Sequence, residues 1–305
     1  MFGQPMLSDG VMLKMEAFLR MVFSGIETGS FYALAALGII IIFKTSVTTN
    51  FAQGVIGMFN AYAATWFLRT WGLSTVWALI LGVLAAILMG ILIDLIVIRH
   101  TKRVDAIGKQ IITMGLILVI TGITPMIFGT SGQPFGRLIR RGSVDVGPIN
   151  LSYNSILNIL LVLGILGILF YTLQQTKWGL AVRVTAANES VARLMGVPTK
   201  YITMAVWAIA AGLSTLAALM LAPSNNVNPL MMNTVQVNAF IALVFGGFQT
   251  FYGAVVGAYI IGIASNLLVY YISDIWGEPL LYLFVLAFLL FRPNGLFGKK
   301  YVKKV

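Results

Sequence analysis

Catalysis and metal binding need ionisable or nucleophilic side chains brought together, and this sequence holds few of them. Among 305 residues there are nine carboxylates, one histidine and no cysteine. The lack of cysteine excludes disulfides, thiol catalysis and thiolate metal sites. His100 stands among Arg99, Lys102 and Arg103, where a solvated side chain is expected and a metal role is not. Gly298-Lys299 is followed by Lys300 where Ser or Thr is required, and no glycine stands at the upstream position, so it is no Walker phosphate cradle. Neither an HExxH zinc motif nor a GxSxG elbow occurs. The expectation is a non-catalytic chain with no cofactor or metal of its own; if ATP drives it, the ATPase is another chain.

Two carboxylates fall within apolar runs. Asp94 lies five residues before Arg99 and is expected to reach a membrane interface, whereas Glu27 is expected near the outer membrane edge, solvated or paired with an arginine. No succession of intramembrane Asp, Glu or His suits a proton-coupled pump, which weighs against an ion-coupled secondary transporter. It equally disfavours an intramembrane enzyme. The uncharged polar clusters are more informative. Thr48-Thr49-Asn50-Phe51-Ala52-Gln53-Gly54 follows directly on an apolar run, and Gly246-Gly247-Phe248-Gln249-Thr250-Phe251-Tyr252-Gly253 interrupts another. Asn225, Asn226 and Asn228, with Pro223 and Pro229, read as an ordinary loop. Asn50 and Gln53 are expected beside a substrate path, because their amides are hard to satisfy against lipid. Hydrogen bonding between helices is the competing reading.

The elements that must position these groups are strongly apolar. Hydrophobic types make up 59% and charged types 10% of the sequence, and the mean hydropathy is +0.94. A soluble domain carries roughly a quarter charged residues, so a soluble domain, a disordered chain and a nucleic-acid-binding domain are excluded. The formal charge of +11 is explained by basic residues in short loops between apolar runs. Charge-poor runs long enough for membrane helices recur at 21–43, 51–70, 72–98, 110–129, 152–173, 201–222, 234–248, 251–273 and 278–291. The expected fold is all-α: a polytopic membrane helical bundle of about 8–10 transmembrane segments with broken or re-entrant helices, forming one domain over 1–305. Residues 51–60 and 234–248 are candidates to enter without crossing, and 11–24 to form a separate amphipathic helix. Gly25–Gly29 and Gly253–Gly257 are spaced for close helix packing. Alternating the nine segments puts 14 of the 20 Lys/Arg residues on one side, which by the positive-inside rule is cytoplasmic and includes the C-terminus. Met1–Gly10 has no cleavable-signal pattern.

The charge-rich segment at about 174–200 carries the local signals of a short helix outside the membrane. Asn188 suits an N-cap, Glu189 complements the positive helix end, and Gly196 with Pro198 suits a stop. Some seven residues are too few for an isolated helix, so a partner surface is expected. Glu189, Ala192, Arg193 and Gly196 share one face by spacing.

Five stretches resemble one family. Gly29-Ser30-Phe31-Tyr32-Ala33-Leu34-Ala35-Ala36-Leu37-Gly38 is similar to its GSxYALxALG span, and Asn50-Phe51-Ala52-Gln53-Gly54 to its NFA(H/Q)G segment. The stretch from Lys177-Trp178-Gly179 to Gly196-Val197 resembles its cytoplasmic segment, Phe245-Gly246-Gly247 with Gly253–Gly257 its GG-x-G-S-x-x-G-A-x-x-G stretch, and Arg292-Pro293-Asn294-Gly295-Leu296-Phe297-Gly298 its closing RPxGLFG. These occur in order over about 270 residues. The chain resembles the branched-chain amino acid ABC transporter permeases, specifically the smaller permease subunit. Three departures are Gln249-Thr250-Phe251-Tyr252 in place of Gly-Ser-x-Pro, the reversed Asn188-Glu189 order, and the charge at Glu27. The resemblance implies a permease subunit of an importer for branched-chain or other hydrophobic amino acids; urea and short amides are alternative solutes in this broad family. It also implies a paralogous second permease, two ATP-binding cassette ATPase subunits using ATP, and an extracytoplasmic solute-binding protein as partners, in the cytoplasmic membrane of a bacterium or archaeon. Asn188, Glu189, Ala192, Arg193 and Gly196 are then the expected ATPase-coupling residues.

Overall fold

The computed structural model describes residues 5–298 apart from 47, 102, 103, 148 and 249, with only the backbone described for 5–13 and 106. Lys102 and Arg103 of the basic loop, Gln249, and the tail lysines Lys299, Lys300, Lys303 and Lys304 lie outside the described residues.

Helix α1 runs without interruption over Pro5–Ser46, so 11–24 is not the separate helix expected from its amphipathic pattern. The stretch Met12-Leu13-Lys14-Met15-Glu16-Ala17-Phe18-Leu19-Arg20 is rich in strong helix formers and lacks a stop signal, so the first span extends backward through it. The remaining apolar helices are α2 (Gln53–Thr70), α3 (Thr75–Ile96), α4 (Ala106–Phe128), α5 (Tyr153–Gln175), α8 (Thr199–Asn225), α9 (Asn233–Gly246), α10 (Phe251–Tyr271) and α11 (Gly277–Phe291). Two further helices, α6 (Lys177–Ala187) and α7 (Glu189–Leu194), link α5 to α8, and a 3₁₀ turn covers Ile98–Thr101. Six helices, in α1, α3, α4, α5, α8 and α10, are long and apolar enough to cross a membrane. The chain is a multi-pass membrane protein. Helix α9 has 14 residues, or roughly 21 Å at 1.5 Å per residue, too short for a hydrocarbon core of about 30 Å.

Helices α1 and α8 form the centre: 78% of the apolar window of α1 and 72% of that of α8 are buried, against 17% for α4. Lipid tails are as apolar as leucine, so helices associate here by close packing. The α1–α10 contact is built that way. A Cβ added at Gly25 would lie 2.5 Å from Ile263 Cα, and one at Gly262 would lie 2.5 Å from Gly29 Cα. The second expected pair acts alike, with Gly257 set against the Ala242 carbonyl of α9 and Gly253 against that of Gly246.

One face of the bundle gathers the end of α1, the end of α3, the start of α4, the end of α6, α7 and the start of α8, as shown by two adjoining cavities lined by Thr45, Asp94, Lys109, Thr185, Glu189 and Lys200. The opposite face carries the hairpin β1 (Ser143–Val146) and β2 (Ile149–Ser152), antiparallel with Val146 opposite Ile149. On that face the α2–α3 turn exposes Trp66, Trp71 and Trp77, as an interfacial aromatic belt does.

Candidate functional site

Helix α1 stops at Ser46, and Thr48–Ala52 is irregular, yet Thr48, Asn50 and Gln53 are all 0% exposed. Buried irregular backbone survives only if its polar groups find partners. Asn50 supplies them: its Oδ1 accepts the Ala52 N–H at 3.0 Å and its Nδ2 donates to Gln53 Oε1 at 3.1 Å. Gln53 Nε2 in turn donates to the Ala210 carbonyl at 2.7 Å, and Ser214 Oγ donates to the Gln53 carbonyl at 2.6 Å. Phe51 N–H donates to Thr113 Oγ1 at 3.3 Å. The two amides expected beside a path are thus bonded to each other, and Gln53 ties them to α8. Ala210 stands eleven residues beyond the start of α8, or roughly 16 Å along it. The first turn of α2 therefore begins against the middle of α8.

The first turn of α9 meets it there. Gly54 N–H donates to Gln236 Oε1, and the Met232 carbonyl would lie 3.3 Å from a Cβ at Gly54. Farther along α9, Asn238 is fully buried and its Nδ2 donates to the Tyr32 hydroxyl of α1 at 3.0 Å. Gln236, Asn238 and Tyr32 escape single-sequence reading, although the polar spacing Asn233-Thr234-Gln236-Asn238 in an apolar helix is the signal that marks them.

Beside this junction, toward the hairpin face, a cavity of about 540 Å³ opens between α1, α8, α9 and α10. Tyr32, Asn225, Asn228, Thr234 and Asn266 give it hydroxyls and amides, while Phe31, Leu221, Leu230, Met231 and Val235 give it apolar wall. Among the described residues no Asp, Glu, Lys, Arg or His lines it. That mixture, at that volume, is typical of small-molecule sites. Pro223 and Asn225 belong to the end of α8 rather than to the loop expected there; the connection from Asn226 to Met232 borders the cavity, and Val227 is pinned to Gln133 by a reciprocal pair of backbone bonds at 2.8 and 2.9 Å. Glu27 has neither an arginine nor open solvent as its main partner; it is half-buried and its Oε1 accepts from Asn158 of α5 at 2.8 Å.

On the other face, α7 has the caps its residues imply. Asn188 Oδ1 accepts from the Ser190 and Val191 N–H groups at 3.0 and 3.1 Å. Gly196 sits at φ +80°. Val197 N–H bonds the Ala192 carbonyl and Gly196 N–H the Arg193 carbonyl, the paired closure that a left-handed residue allows. The helix has six residues. Its faces differ from the expected division: Ala192 is 0% exposed, packed inside this chain, and Glu189 pairs with Arg193, whose Nε also donates to Thr199 Oγ1 at 3.0 Å. The exposed surface carries Val191, Leu194 (88% exposed) and Met195 (68% exposed) beside the exposed Glu189–Arg193 pair. Nothing stands within 4 Å of a Cβ at Gly196. Asp94, expected at a membrane interface, is 2% exposed inside the bundle and pairs with Arg99 at 3.5 Å. Among the described residues no three His, Cys, Asp or Glu side chains form a metal-binding group.

A profile of the family described as branched-chain amino acid transport system / permease component matches residues 21–291. A relative named probable branched-chain amino acid transport permease protein LivH, from Methanocaldococcus jannaschii, is 25% identical over 93% of this chain and 94% of its own length. The high-affinity branched-chain amino acid transport system permease proteins LivH of Salmonella typhimurium and BraD of Pseudomonas aeruginosa are each 26% identical over 94% of this chain and 98% of theirs. No solved structure matches.

Proposed function

The chain belongs to the branched-chain amino acid transport system / permease component family, and from that premise we propose that it is the permease subunit of an ABC importer, forming half of the path for branched-chain or other hydrophobic amino acids. The observation that carries the substrate reading is the uncharged cavity of about 540 Å³. A branched-chain amino acid presents an apolar side chain beside two opposite charges. Leu221, Leu230, Met231 and Val235 suit the first; Tyr32, Asn225, Thr234 and Asn266 solvate the second. Neutral donors and acceptors suit a transit site, which must bind well enough to admit the solute and weakly enough to release it. Thr234 in the first turn of α9 places the positive end of that helix beside the cavity, where a carboxylate is favoured.

The chain itself then does no covalent chemistry. A paralogous permease supplies the other half of the path, two ATP-binding cassette subunits hydrolyse ATP, and an extracytoplasmic binding protein delivers solute on the hairpin face. The α7 face and the C-terminus are cytoplasmic. An apolar tip on a charged extramembrane segment suits a protein partner, so Val191, Leu194 and Met195 dock the ATPase while Asn188, Glu189, Arg193 and Gly196 hold the coupling helix in shape.

The test is leucine uptake by the complex carrying Asn225→Leu together with Thr234→Val. Uptake is expected to fall about tenfold, a loss comparable to one or two hydrogen bonds, with the ATPases still bound. Undiminished uptake would remove the cavity from the path.

A further inference from the structure

The α7 face holds a second concavity that the transport reading leaves unused. A cavity of about 270 Å³ and another of about 200 Å³ share Thr45, Ser46, Lys109 and Glu189 as walls. Together they make a cleft separating α6 and α7 from the ends of α1, α3, α4 and α8.

Its charges do not balance. The two carboxylates, Asp94 and Glu189, pair with Arg99 and Arg193. Lys109, from the first turn of α4, and Lys200, from the first turn of α8, line the same cavity with no ion pair among the described residues. Two lysines lining one concave space raise its positive potential and favour an anion there. Hydroxyls point to the same occupant. Ser46 Oγ and Thr185 Oγ1 are buried with no hydrogen-bond partner among the described residues, Thr185 being 2% exposed, and both residues line the cleft. Buried hydroxyls left unpaired are unfavourable, so a ligand rich in acceptors is favoured over an apolar group. Lysines acting as point charges, with hydroxyl donors beside them, are a common phosphate-binding set. The depth also fits: the cleft lies where the spans of α1 and α3 end and those of α4 and α8 begin, the level of lipid headgroups, where basic pockets between helices take anionic lipids.

We propose that this cleft binds a phosphate group through Lys109, Lys200, Ser46 and Thr185, carried either by an anionic phospholipid headgroup or by a free phosphate compound. The bound group ties α4 and α8 to α6 and α7, and so sets the position of the coupling segment.

The full-length chain is reconstituted in phosphatidylcholine nanodiscs, with and without phosphatidylglycerol, and titrated with inorganic phosphate against chloride at equal ionic strength. Thermal stability and lipids retained in native mass spectrometry are read. Wild type is expected to be stabilised by phosphatidylglycerol, by phosphate, or by both, with chloride inert; retention of phosphatidylglycerol in the presence of phosphate identifies the lipid as the source. The K109Q/K200Q variant should bind at least about tenfold more weakly, as loss of two charge-assisted bonds predicts, while R141Q on the hairpin face should bind normally. If K109Q/K200Q does not fold, the wild-type comparison decides alone. Equal stability of wild type in phosphate and chloride, with no phosphatidylglycerol retained, would overturn the proposal. So would binding that K109Q/K200Q leaves unchanged.

Discussion

Gln53→Leu isolates the contact that holds the break before α2. Leucine is close to glutamine in volume, so the change is chiefly polar. It removes the 2.7 Å bond to the Ala210 carbonyl and strands Asn50 Nδ2, which donates to Gln53 Oε1 at 3.1 Å in a site with 0% exposure. An orphaned buried donor costs about 1–3 kcal/mol, and a lost hydrogen bond between membrane helices averages about 0.6. Together these predict a loss of roughly 2–3 kcal/mol, enough to lower the unfolding midpoint without preventing assembly. Asn50→Leu strands Gln53 Oε1 and the Ala52 N–H in the same way. The double variant should be less damaged than the two singles added, by about 1–2 kcal/mol, because donor and acceptor leave together. Denaturant unfolding of the purified chain measures the cycle; co-purification of partner subunits and leucine uptake complete it. Uptake should fall in Gln53→Leu, because α2 begins beside the first turn of α9. Strict additivity would refute the account of the break, and undiminished uptake would refute its link to transport.

Three other outcomes follow from the packing. Leu194→Asp with Met195→Asp should weaken ATPase association at least about tenfold by placing charge in a docked apolar contact, read by co-purification, with stability of the chain unchanged. Gly262→Leu should destabilise by about 3 kcal/mol or more, because its Cβ falls 2.5 Å from the Gly29 backbone; Gly122→Leu, with no atom within 4 Å of its Cβ, should leave the unfolding midpoint unchanged. Gly196→Ala should cost about 1–2 kcal/mol through its φ of +80° alone, seen as faster hydrogen exchange in α7 with little change elsewhere.

The apolar helices were legible because hydropathy is carried residue by residue, and nine apolar stretches became nine apolar helices among the described residues. The caps of α7 were legible for a related reason: Asn188 and Gly196 act on backbone groups two to five positions away. The extension of α1 was obscured because Lys14, Glu16 and Arg20 lower hydropathy without breaking a helix. Which face of α7 turns inward depends on α6 and α8, so spacing alone grouped buried Ala192 with the exposed pair Glu189 and Arg193. The cavity was least legible. It joins Tyr32 to Asn266 and Thr234, positions brought together only by the packing of α1, α9 and α10.

The most direct test of the central claim is uptake of labelled leucine into proteoliposomes holding this chain with its partner permease, ATPases and binding protein. The account predicts uptake that requires ATP and the binding protein, competes with isoleucine and valine, and is lost when this chain is omitted. Uptake independent of ATP, or uptake of urea with no leucine transport, would contradict it.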